Sequence, residues 1–369
     1  THQTLLAATL AAPDAMLTVD SCEFPKKGTE SVGVARQYCG ARGKVDNCQS
    51  GVFVGYTSDK GYGLLASQLY LPASWFTPEQ AQRRKDTWVP EALRFQTKPQ
   101  LAQTLLAQLA QTGRFPATWL GCDAVFGADW AFLDAVPPGT HYFASVRATT
   151  PVFLTPPRVS VPRYRGRGRK PTRPRVTRGR AQPVGTLATS PACPWTPVVL
   201  AEGAKGPIRA EVAALRVTPA VGGLPRATPV WLFLRRLEDG QLKYAFSNAP
   251  ADTPLAALCR AATLRWPIEQ CFQDGKSQVG MDHYEHRSWP AWHRHMLYVC
   301  VALHFLLRLR HQFKKNARLD AAASAAPPGG GAAVPRLDTR ARAGTRAVLH
   351  DEELHCVSLT PEDAAGATS

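Results

Sequence analysis

The sequence predicts a mixed α/β fold: a three-strand antiparallel meander, an α-β-α-β run, and a β-rich insertion before a helix that carries a glutamate between two cations. Three observations predict it. Residues 15–72 hold three apolar stretches separated by turn residues, and residues 91–146 alternate helical and strand patterns. The 23 residues from Arg158 to Arg180 then break the pattern with ten Arg or Lys and no acid.

Taken in order, AMLTVD (15–20) reads as a short buried strand ending on the carboxylate of Asp20. CQSGVFVGYTSD (48–59) alternates as a second strand, and YGLLASQLYLP (62–72) is a third, closed by Pro72. Ser58, Asp59, Gly61 and Gly63 make a hairpin the economical connection between them. Residues 91–111 carry a helical apolar repeat at Leu101, Leu105, Leu106 and Leu109, stopped by Gly113. ATWLGCDAVFG (117–127) is a strand running into Asp123 and a Gly turn, ADWAFLDAV (128–136) a short helix, and HYFASV (141–146) a further strand. This order is the one a ribonuclease H-like core requires, an antiparallel meander followed by parallel crossover units.

The basic stretch, with Arg165, Arg167, Arg169 and Lys170 at its centre, cannot bury a core of its own. It reads equally as a solvated linker or as a phosphate-contacting arm. IRAEVAALRV (208–217) and residues 228–250 read as strands, the latter a hairpin turning at Asp239 and Gly240. A long apolar helix follows over 291–313. The expected organisation is a first part of the core over 1–150, a basic linker and β-rich insertion over 151–255, helices completing the core over 256–313, and a low-complexity, disordered tail over 314–369.

The 369 residues are 44% hydrophobic and 20% charged, enough apolar material for one large or two modest domains. No stretch reaches 18 uninterrupted apolar residues, and the N-terminus lacks a basic signal-peptide start, so a soluble chain with no membrane partner is expected, cytoplasmic and nucleoid-associated when bound to DNA. The chain opens on Thr1 in helical character, which suggests a lost N-terminal module. Nine scattered cysteines without a C-x-x-C pair support neither a disulfide framework nor a zinc knuckle. A formal charge of +16 points to a polyanionic partner, with nucleic acid first.

The segment TLRWPIEQCFQDGK (263–276) sets Arg265, Glu269 and Lys276 within a sector of roughly 40° on a helix. On its own this is an ordinary i,i+4 ion pair, worth about 0.3–0.5 kcal/mol. In the expected sheet, however, the first and fourth strands are neighbours, so Asp20 and Asp123 lie side by side and a helix packed across that end brings Glu269 to them. Three carboxylates without thiol or clustered imidazole ligands suit two Mg²⁺ ions, or Mn²⁺ as substitute. Such a pair of ions activates water or a 3′-hydroxyl for phosphodiester displacement, while Arg265 and Lys276 position phosphates.

These residues resemble the signature Y-x2-R-x3-E-x6-K of bacterial insertion-sequence DDE transposases of the IS-four-like superfamily, with Arg265, Glu269 and Lys276 in place and Ala262 where the Tyr belongs. VDSCEFPKKG, ARQYCGARGKVDNCQSGV, LYLPASW, DAVFG, GLPRATPVWLFLRR, KYAFSNAP and GMDHYEHRSWPAWHRHM extend the resemblance from about 17 to 310. It implies cut-and-paste DNA cleavage and strand transfer at terminal inverted repeats and target DNA by a DNA-bound oligomer, expected as a homodimer. It further implies that the β-rich insertion handles the transposon end. In that branch the first motif reads D-D-T-G-F; here DSCEF puts Ser21 in place of the second acid, Cys22 in place of the Thr and Glu23 in place of the Gly. Asp20 is assigned as the ligand from its place before x-T, with position 21 as the alternative. The rival readings are an inactive remnant that only binds DNA and a structural basic protein bound to RNA. Lys26 and Lys27 read as DNA contacts or a solvated turn, and His293 and His295 as packing or DNA-facing residues rather than zinc ligands. YRGRGRK lacks the phosphate-loop pattern, and Asp129, Asp134 and Asp282 read as surface acids.

Overall fold

The computed structural model describes residues 2–164, 166, 168–203, 206–325 and 357–358. In chain order, α1 (His2–Leu10) leads into β1 (Met16–Pro25), β2 (Ala35–Cys39), β3 (Lys44–Ser58) and β4 (Gly61–Tyr70). There follow α2 (Ala81–Asp86), α3 (Lys98–Thr112), β5 (Trp119–Cys122), α4 (Ala124–Gly127), α5 (Trp130–Asp134) and β6 (His141–Ser145). Next come β7 (Pro151–Phe153), β8 (Arg158–Ser160), β9 (Arg175–Arg178), β10 (Gln182–Pro183) and α6 (Val184–Ala188). The strands β11 (Thr196–Gly203), β12 (Gly206–Val221), β13 (Leu224–Pro225), β14 (Val230–Leu237) and β15 (Leu242–Ser247) lead to α7 (Leu255–Arg265), α8 (Pro267–Val279) and α9 (Trp289–Ala325), with β16 (Val357–Ser358) beyond.

The result is a mixed α/β molecule built on one large, mostly antiparallel sheet, consistent with the ribonuclease H-like expectation. β1 pairs parallel with β5, and β5 parallel with β6; β3 lies antiparallel to both β1 and β4. Side chains alternate across β1. Met16, Cys22 and Phe24 face α7, α8 and α9, packing with Leu258 and Leu264, or with Ile268, Cys271 and Trp292. Val19 faces the other way, into a core with Leu101, Leu105 and Leu109 of α3 and Leu6 and Leu10 of α1.

Several boundaries differ from the sequence expectation for identifiable reasons. β1 runs on through Pro25, so Asp20 is mid-strand, because Ser21 to Pro25 keep pairing with Cys48 to Val52 of β3. The helix expected from 91 begins at Lys98: Thr97 and Gln100 form a capping box that fixes the start, and Gly113 in the left-handed region ends it. The stretch 263–276 is two helices, since Pro267 has no N–H to continue α7. α9 continues to Ala325, past residue 313. The β-rich insertion is part of the central sheet: β15 pairs with β6, and β14 and β12 follow outward. Val212, Leu232, Phe233 and Leu234 are buried on both faces of these strands, so they need cover on both sides.

The basic stretch differs too. β8 and β9 form a separate two-stranded ribbon, with Val159 opposite Val176 and Arg158 opposite Arg178. Arg158, Arg175 and Arg178 are exposed on it. No helix among the described residues is long and apolar enough to cross a membrane.

One backbone position is strained. Trp88 is the non-glycine residue with positive φ, at 59°, among those described. It closes α2 in a Schellman turn, Trp88 N–H donating to the Lys85 carbonyl and Val89 N–H to that of Arg84, both at 2.9 Å. Its indole is 72% exposed, so the ring recovers little of the roughly 1–2 kcal/mol left-handed penalty. Trp88→Gly is therefore expected to raise stability by about 0.5–1 kcal/mol, net of glycine's larger unfolded-state entropy. A denaturant midpoint that falls instead would show that the exposed ring contributes packing.

Candidate active site

The parallel register of β1 and β5 sets Val19 opposite Cys122, which brings the next residues, Asp20 and Asp123, to neighbouring positions. Asp123 caps α4, its Oδ1 accepting from Val125 N–H at 2.9 Å and Phe126 N–H at 3.3 Å. Gly127 makes this turn possible, because a Cβ there would overlap the Ser145 carbonyl at the end of β6. Asp20 Oδ1 accepts from Ser21 N–H at 2.7 Å, and its side chain faces the C-terminal helices.

Arg265, the last residue of α7, joins the site together. Its Nε–H donates to the Cys122 carbonyl at 3.3 Å, Nη2 lies 3.7 Å from Asp20 Oδ2, and Nη1 donates to Glu269 Oε1 at 2.7 Å. The guanidinium is largely buried, whereas the Glu269 side chain is 50% exposed in the first turn of α8. Lys276 stands further along the same face of β1, beside the Cys22 thiol and 5.9 Å from the Phe24 ring centre. The Arg265, Glu269 and Lys276 series thus follows β1 across Asp20, Cys22 and Phe24, despite the break at Pro267.

The electrostatics are those of crowded acids. Burial, and then the neighbouring Asp123 charge, push the Asp20 carboxyl well above the usual range against the opposing pull of Arg265. Burial also raises Asp123, while the Phe126 and Val125 N–H groups, Arg265 and Lys98 pull it down. The flanking thiols are inert: burial pushes Cys22 up to about 12 and Cys122 higher still.

Asp20, buried, and Asp123, half-buried, are adjacent carboxylates that repel each other, and together they form an oxygen donor set that fits a hard divalent cation. Asp20 and Asp123 are the residues that would hold it. Glu269 is turned to Arg265 in this arrangement, and no group of three His, Cys, Asp or Glu side chains among the described residues is gathered for a metal ion.

The other expected contacts are distributed unevenly. Lys26 donates to the Tyr284 carbonyl and lies over that ring, tying down the loop before α9, while Lys27 is exposed. Arg169 and Lys170 are exposed in the loop of the β8–β9 ribbon, and Arg165 and Arg167 lie outside the described residues. His293 packs between Trp289 and Trp292, and His295 bonds the Gly280 carbonyl, so neither is gathered with other metal ligands. Sequence reasoning missed three charged groups here. Arg235 on β14 is held below its usual pKa by burial and then by the Arg265 charge. Glu23 and Lys98 form an ion pair at 3.0 Å beside Ser21. The Glu in place of Gly at position 23 was the one available signal for them.

Because the folded state raises the Asp20 pKa above its unfolded value, the folded chain binds more protons between those values, and stability falls as pH rises through that window. Asp20→Asn should accordingly stabilise the metal-free protein at pH 7, by on the order of 1 kcal/mol, and progressively less toward pH 4. Thermal melts across that range check it; a variant that is less stable at pH 7 would mean that Arg265 outweighs burial and Asp123.

A search of curated proteins finds no match. Among solved structures the chain is similar to the NurA nuclease from Sulfolobus solfataricus, at 8% identity over 86% of this chain and 88% of that one, with a TM-score of 0.28. The DDE superfamily endonuclease family matches residues 2–207, more than half the chain, with Asp20 and Asp123 inside the match and Arg265 and Glu269 beyond it. The chain belongs to the DDE superfamily endonucleases.

Proposed function

We propose that the protein is a divalent-metal-dependent DNA transposase of the insertion-sequence type, cutting and joining strands at terminal inverted repeats. The observation that carries this reading is the pairing of Asp20 with Asp123 on adjacent parallel strands, both raised in pKa and flanked by Arg265. Nucleases of this superfamily use divalent metal ions, which supply charge neutralisation and an activated oxygen for phosphodiester displacement. In the proposed site Asp20 and Asp123 would hold Mg²⁺ or Mn²⁺, with Glu269, bonded to Arg265 in the free protein, as the third carboxylate that would join them. Arg265 and Lys276 then take phosphate oxygens along the β1 face, and the β8–β9 ribbon adds sequence-independent backbone contacts through Arg158, Arg175 and Arg178. Binding as a homodimer belongs to the same proposal.

The second reading, a remnant that binds DNA without cutting it, is favoured by two observations: Ser21 stands where the related motif has an acid, and Glu269 is engaged by Arg265. Nicking of supercoiled plasmid carrying the element's own inverted repeat, in Mg²⁺ or Mn²⁺, separates the two. Asp123→Asn and Glu269→Gln should each lower nicking by more than about 100-fold, beyond the 10–100-fold cost of losing a group that only supports a ligand, with DNA binding retained. No metal-dependent nicking by the parent chain would favour the remnant, and a gain on Ser21→Asp would move the ligand to position 21.

A further inference from the structure

Lys98 occupies a costly place. It is the first residue of α3, where the helix dipole disfavours a cation, and only 18% of its side chain is exposed. Its Nζ donates to Glu23 Oε1 at 3.0 Å and to Ser21 Oγ at 3.3 Å, which accounts for two of its three N–H donors. Ser21 and Ser50 also donate to Glu23 Oε1, at 3.1 and 3.0 Å. Burial works against the Glu23 charge, yet Lys98 and these hydroxyls hold its carboxyl below the usual range.

The cluster lies beside the acids, on the other side of β1 from Arg265. Ser21 and Glu23 point away from the face that Asp20, Cys22 and Phe24 share, and the Lys98 charge reaches Asp123 at the end of β5. The acid pair therefore sits between two cations delivered by different helices. They are not equivalent: Arg265 is committed to Cys122, Asp20 and Glu269, whereas Lys98 is a flexible point charge that makes two hydrogen bonds among the described residues and otherwise only faces the Tyr70 ring, 5.7 Å from its centre.

We propose that Lys98 is a phosphate-binding residue of the cleavage site, held by Glu23 until a backbone phosphate of the bound DNA strand takes it over. This rests on the DNA-cleaving reading above. Glu23 is then a positioning residue that keeps the ammonium at the Asp123 end in the free protein and competes with phosphate for it.

Fluorescence anisotropy of a linear duplex over a salt series tests this on the full chain without metal. Lys98→Met should reduce the log-log salt slope by about 1, the loss of one phosphate contact, and Lys98→Arg should keep it. Glu23→Gln removes the competitor, so it should bind DNA severalfold tighter at fixed salt. Weaker binding by both Lys98→Met and Glu23→Gln, with lowered melting points and an unchanged slope, would reduce the pair to a structural ion pair and overturn the proposal. If Lys98→Met does not fold, Glu23→Gln decides alone: tighter binding agrees, and unchanged or weaker binding overturns it. A parent chain with no salt-dependent DNA binding would overturn the DNA-cleaving reading itself, whereas a steep parent slope that Lys98→Met leaves intact would overturn only the role of Lys98.

Discussion

The arrangement of this molecule turns on one unfavourable juxtaposition, the buried Asp20 beside the half-buried Asp123 at the end of a parallel strand pair. Two carboxylates in that setting repel and lose hydration, and the cost persists only where the surrounding structure compels it. Here the compulsion comes from both layers of the fold. The leucines of α3 and α1 hold one face of β1, and α7, α8 and α9 hold the other, so neither acid can turn away without opening a core. Arg265 offsets part of the repulsion, at 3.7 Å from Asp20. Its other bonds, to Cys122 and Glu269, show that the same guanidinium anchors α7 to β5 and aims α8.

That economy explains the break at Pro267. A continuous helix would carry Glu269 past β1 along one axis; ending α7 at Arg265 lets Glu269 enter at the first turn of α8, where a carboxylate suits the helix dipole. The strands β14 and β15 matter to the site for a related reason. By extending the sheet from β6 they bring Arg235 close enough to Arg265 and Glu269 to feel both charges. Cationic groups therefore enclose the acids from α3, α7 and β14, a distribution suited to a polyanionic strand crossing the sheet end.

Much of the core was legible in the sequence because its elements repeat over several turns or strand pairs. The strands over 44–58 and 61–70 and the helix carrying Leu101, Leu105 and Leu109 follow from alternation and helical spacing. β2 was not legible, since Ala35 to Cys39 buries only Cys39 and pairs with only the first residues of β3. The continuation of β1 past Asp20 was hidden by the polar Ser21 and Glu23, whose cross-strand partners lie about thirty residues away. The proximity of Asp20 and Asp123 could be inferred from strand order, but the Glu23–Lys98 pair could not: it joins residues 75 apart through no shared periodicity. The engagement of Glu269 by Arg265 was visible as an i,i+4 pair; that the guanidinium also reaches Asp20 depends on packing alone.

The central claim is that Asp20 and Asp123 form the cation-binding end of the sheet. Titration calorimetry of Mn²⁺ into the DNA-free protein tests it most directly, with Asp20→Asn and Asp123→Asn compared against the parent chain. The account predicts saturable binding by the parent, released protons as the raised carboxyls ionise, and loss of both the heat and the proton release in either variant. Equal Mn²⁺ binding by all three proteins, without proton release, would contradict it.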